Sequence, residues 1–173
     1  MYFKVLGALI TVLGTSFYGW YLAGQIVNKI NRMTSFKESL LIMSGHIRYA
    51  RISMPMLLRS ISEAVVHKGI SDFYYVTSER IGENTGEDFA DIWKDCIETC
   101  FKDNISKEEI RIYKEIGELP VYMDVVMQIQ FLEEKITFLE EVITRTKAEL
   151  LQKDKVYKCL GISVGLLIVL VLI

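Results

Sequence analysis

Proline is scarce in this chain, with Pro55 and Pro120 alone across 173 residues, and the glycines stand singly. That excludes a glycine-rich phosphate loop and, with long gaps between turn signals, disfavours a sheet of many short strands. Histidine is nearly missing. His46 and His67 lie far apart in sequence, with no carboxylate arranged to orient either for catalysis or metal binding. The three cysteines, Cys96, Cys100 and Cys159, are odd in number and form no CxxC pair, so neither a disulfide framework nor a zinc site is implied. A net charge of −2 leaves no field to attract nucleic acid. No catalytic, cofactor-binding or metal-binding set can be assembled from these residues, and the chain reads as a non-enzyme.

Charge is missing altogether from two stretches. Residues 5–28 and 159–173 contain no Asp, Glu, Lys or Arg. As a helix the first would run roughly 36 Å, against a hydrocarbon core of about 30 Å, which is enough to span a bilayer. Arg32 and Lys37 follow it as a stop-transfer flank would, which favours a retained span over a cleaved signal peptide. The last stretch makes only about 22 Å of helix, so a thinned or tilted crossing and a half-buried tail both remain open. Gly7, Thr11, Thr15, Gly19 and Ala23 recur every four residues, and Gly161 with Gly165 forms a GxxxG. Such small residues let helices approach closely in lipid, so the two ends are expected to pack as a hairpin. Lys29, Arg32 and Lys37 follow the first stretch, Arg145, Lys147, Lys153, Lys155 and Lys158 precede the second, and only Lys4 lies beyond. The positive-inside rule then puts the middle of the chain in the cytosol.

That middle is rich in helix signals. Thr34 or Ser35 can cap a helix to about Ala50; Pro55 stands at a first-turn position of the next, which carries Leu57, Leu58, Ile61 and Val65 up to Gly69. Ser71-Asp72 opens a third helix ending near Gly82, and Phe89, Ile92, Trp93, Cys96 and Ile97 form a fourth stripe. Ser106 with Glu109 is a capping box that predicts a helix from Lys107 to about Glu118. Beyond Pro120, Val125, Ile129, Leu132, Ile136, Leu139, Ile143 and Leu150 alternate by four and three, apart from polar Thr146. This heptad seam predicts a helix from about Tyr122 to Lys158, able to continue into the tail. The seam can pack within the chain or on a second copy. Met43, Met54, Met56, Met123 and Met127 read as core filler before they read as an adaptable binding surface. The expected fold is all-α: a membrane-anchored helical bundle with a long C-terminal helix. Residues 1–33 would be the N-terminal membrane helix, 34–158 a cytosolic helical domain, and 159–173 a second membrane segment.

Several blocks taken in order resemble the stage III sporulation protein AB family. They are Val5-Leu6-Gly7-Ala8, Ile47-Arg48-Tyr49-Ala50-Arg51 before Pro55, Ala90-Asp91-Ile92-Trp93, Gly117 leading to Asp124 and Gln128, and Lys155 to Gly161 running into Gly165. His46, Ser53, Pro120-Val121 and Met123 depart from the family's usual residues. The resemblance implies a helical domain like the cytosolic F domain of type II secretion platforms, in a non-catalytic subunit of the channel linking mother cell and forespore. It implies the mother-cell membrane around the forespore as location, with the central domain in the mother-cell cytosol. Other stage III channel proteins, including the ATPase-like protein AA, and membrane lipid are the implied partners. A self-associating coiled-coil membrane protein, a homo-oligomer through the seam, is the alternative.

Overall fold

In a computed structural model of the chain, the backbone is described for residues 2–50, 52–83, 86–102 and 105–172, and side chains for 21, 24–50, 52–83, 86–102 and 105–151. Among these residues the fold is all helix, without a strand: α1 Tyr2–Tyr49, α2 Met54–Ala64, α3 Lys68–Gly82, α4 Phe89–Phe101, α5 Lys107–Ile116 and α6 Val125–Leu172. The chain divides into two compact units, one of Met1–Ile30 with Ile143–Ile173, the other Asn31–Val142. Among the described residues no helix is long and apolar enough to cross a membrane. The side chains of 5–20, 22, 23 and 159–173 lie outside them. So do the expected packing positions Gly7, Thr11, Thr15, Gly19, Ala23, Gly161 and Gly165, together with Lys155.

Several helix boundaries differ from the sequence expectation. No helix starts at Thr34 or Ser35, because α1 runs through them. Met33, Phe36, Leu40 and Met43 are fully buried along one continuous stripe, and with no proline in α1 nothing breaks the helix there. The second helix ends at Ala64 rather than near Gly69, since Val65 turns extended while its N–H still bonds Ile61 O at 3.0 Å. The third then starts at Lys68, ahead of Ser71-Asp72. Ser71 is no cap; its hydroxyl donates to Ser62 O at 2.6 Å and ties α3 to α2. The Ser106 capping box forms with both of its bonds, and α5 ends at Ile116. The last helix begins at Val125 rather than Tyr122, where the Asp124 carboxylate accepts the N–H of Met127 at 2.9 Å.

The core of the unit Asn31–Val142 is aromatic. Phe36 of α1 stacks on Tyr113 of α5 with ring centroids 4.0 Å apart, and Phe73 of α3 meets Trp93 of α4 edge to face at 4.8 Å. Offset and edge contacts of this kind add about 0.5–1.5 kcal/mol each beyond the area they bury. The indole N–H donates to Tyr113 O at 2.8 Å, so the largest buried side chain leaves no polar atom unsatisfied. Within this unit α6 runs antiparallel to α1, with Lys37 beside Glu140 at 3.7 Å and Arg48 beside Glu133 at 3.1 Å.

Candidate interaction surface

The titratable groups that suggest chemistry in the sequence are held in structural roles. His46 shares a 3.2 Å hydrogen bond with Ser60 across α1 and α2. Cys96 is buried and Cys100 half-buried. Burial first, then the neighbouring Cys96 and Asp72, pushes the Cys100 thiol up, away from the reactive thiolate. No cluster of metal-ligating side chains occurs among the described residues.

A buried charge pair links α1 to α5. Arg32 donates to Glu109 Oε1 from Nε at 3.0 Å and from Nη2 at 2.8 Å. Glu109 is 1% exposed and also caps its own helix through Ser106, so the same carboxylate closes a local turn and a long-range pair. Burial, then the Glu109 carboxylate, drives the Tyr113 phenol far up, and it stays neutral in this cluster. His67, at the start of α3, has its pKa lowered by burial and next by the Arg32 cation. A depressed folded pKa means that the unfolded chain binds more protons, so this contribution is present above the ordinary value near ~6.5 and lost as pH falls. Between pH 7 and pH 5 the melting temperature of the wild-type protein should therefore drop further than that of His67→Gln. Equal drops in a thermal melt series would sink this assignment.

The positions that carry the family resemblance divide into two groups. Trp93 and Gly117 are a packed pair: a Cβ built on Gly117 would stand 2.5 Å from Trp93 Cδ1 and 2.9 Å from Cγ, closer than any side chain tolerates. Pro55 sits in the first turn of α2. Asp124 and Gln128 shape the turn before α6. The buried Gln128 amide donates to Val121 O at 3.1 Å and Met123 O at 3.0 Å, while Asp124 caps the helix. What this locked turn presents is apolar. Tyr122 is 87% exposed, and Met123, Val125, Val126 and Met127 are each about half exposed or more. Tyr49, at the end of α1, is 80% exposed.

Beside this turn lies a cleft of about 590 Å³, lined by Ile47, Ile52, Met54, Leu57 and Ile92 among others, with Tyr122 and Val125 from the turn. The methionines split accordingly, with Met33 and Met43 fully buried, and Met56, Met123 and Met127 exposed. Of the heptad seam, Leu132, Leu139 and Ile143 are buried; Ile129, Ile136 and Leu150 are half-buried; Val125 is exposed. Thr146, which interrupts the apolar pattern, is itself buried. Sequence periodicity found the helix but not which end of its stripe is left uncovered. A run of large apolar residues beside a proline turn was the available signal for the surface at 122–127.

Charge is unevenly divided. Residues 31–142 hold 20 acidic and 13 basic residues, a net of −7, whereas the rest of the chain holds 2 acidic and 7 basic, a net of +5. The acidic unit thus carries the cleft.

Comparison with known proteins agrees with the pattern of residues. The Bacillus subtilis (strain 168) protein described as Stage III sporulation protein AB is 22% identical over 171 residues, covering 98% of each chain. No solved structure matches the chain. The family described as Stage III sporulation protein AB matches residues 4–173. That match runs across both compact units, and the chain therefore belongs to the stage III sporulation protein AB family, with a role in sporulation.

Proposed function

We propose that this protein is a non-catalytic platform subunit of the channel complex between mother cell and forespore. It is anchored in the mother-cell membrane around the forespore by its apolar ends and holds its central helical region in the mother-cell cytosol. There it docks an ATPase-like partner, stage III sporulation protein AA by analogy with secretion platforms, beside other channel proteins of the membrane. The observation that carries this reading is the segregation of charge: two uncharged stretches, 5–28 and 159–173, bracket an acidic helical unit, and the basic excess lies next to them. Basic residues beside an apolar stretch suit the anionic cytoplasmic leaflet, and an acidic body suits a place away from it. Self-association through the heptad seam is the lesser reading, because Leu132 and Leu139 are already fully buried within the chain.

The test is a tagged full-length chain expressed in sporulating cells. It should sediment with membranes, resist alkaline extraction, and co-purify in mild detergent with the ATPase-like protein and membrane components of the channel. Recovery in the soluble fraction, or purification without any other channel component, would overturn the proposal.

A further inference from the structure

The cleft beside the turn before α6 has properties that packing alone does not require. Five of the six residues from 122 to 127 are large, apolar and about half exposed or more. Exposed apolar surface of this kind, held in one place, marks binding rather than stability. The turn keeps its shape without a partner, because Gln128 and Asp124 hold its backbone, so little ordering entropy remains to be lost on association. Met54 in the cleft and Met123 beside it add side chains that adapt to an incoming surface.

Charge selects the occupant. Glu87 lines the cleft, and Asp88 and Asp124 adjoin lining residues. Among the described residues Arg48 is paired with Glu133, and the single cation Arg80 faces two carboxylates, Glu87 and Asp95, so these pairs leave an acidic excess. The unit as a whole stands at −7. An anionic lipid surface is repelled by such a face, and an acidic segment gains nothing from it. An apolar groove with an acidic rim complements a helix whose apolar ridge is flanked by Lys and Arg, the helix-in-groove mode of recognition. We propose that the cleft docks a basic amphipathic helix of another protein in the assembly, its apolar ridge seated against Tyr122, Val125 and Ile47. The inference rests on the platform reading and names the chemistry of its partner.

The photoreactive residue p-benzoylphenylalanine placed at position 122 of the full-length chain in sporulating cells tests it, with the crosslinked peptide sequenced by mass spectrometry. The expected product is a peptide of another protein with apolar residues at helical spacing and a net positive charge. Glu87→Gln combined with Asp88→Asn, which keeps a capping residue at the start of α4 and leaves Arg80 its Asp95 partner, should lower the crosslink yield about threefold with little change in melting temperature. Crosslinks chiefly to lipid, to a second copy of this chain or to an acidic or extended segment overturn the assignment. So does a yield no higher than from the same photoreactive residue at exposed position 63 on α2. Co-purification in the same cells separates the two proposals: if channel components are still recovered, a failed crosslink overturns the cleft assignment alone. If they are not, the platform reading falls as well.

Discussion

Replacing Glu109 by Ala should destabilise the unit Asn31–Val142 by about 3–5 kcal/mol, the usual cost of removing one partner from a buried ion pair. The effect is large because Arg32, only 12% exposed, is left as a cation without its carboxylate in a site walled by the aromatic core. The same substitution removes half of the α5 capping box, which adds about 1 kcal/mol. The two contributions can be separated. Glutamine at position 109 keeps a capping side chain, since Gln serves in that position as Glu does, but carries no charge to meet Arg32. Glu109→Gln should therefore lose the ion-pair share alone, and Arg32→Met added to it should restore part of the stability, because neither partner is then charged and buried. Guanidinium unfolding of the full-length protein in detergent, followed by Trp93 fluorescence in a Trp20→Phe background, reads the midpoints. A double variant less stable than Glu109→Gln by the full cost of a second lesion would show that the two side chains act independently.

What the sequence made legible was local. The Ser106 capping box closes over three residues, and Pro55 declares a first turn wherever the chain later goes. The boundaries it missed depend on what packs against the segment. Thr34 and Ser35 have the chemistry of caps, but a cap is optional where the buried stripe Met33, Phe36, Leu40 continues across them. The split between α2 and α3 depends on extended backbone at Val65 and His67 and on a Ser71 to Ser62 bond, neither written in periodicity. The Arg32–Glu109 pair joins residues 77 apart, and no spacing rule points to it. Heptad spacing carried the apolar seam as far back as Val125, although Val125 is exposed. Apolar spacing reports that a face is apolar, not that it is covered. The positions Trp93, Gly117, Asp124 and Gln128 were visible as a pattern, and the structure supplies the reason: one pair packs and the other shapes a turn.

The packed pair makes the second large effect. Trp93→Ala should cost about 3–5 kcal/mol, since a fully buried indole leaves a cavity among Phe36, Phe73 and Tyr74 that the ring contacts cannot close. Gly117→Ala should cost about 1–3 kcal/mol from the other direction, because its methyl meets the indole at 2.5 Å and the indole is held in place by its bond to Tyr113 O. Gly117 has φ −63°, an ordinary helical value, so backbone strain plays no part and the penalty is overpacking alone. That distinction gives a sharp test. In a Trp93→Ala background Cδ1 and Cγ are gone, and Gly117→Ala should lose most of its effect. Thermal unfolding of the four proteins, with helical circular dichroism as the signal, measures the coupling. Additive losses would mean that the glycine is required for some reason other than the indole lying against it.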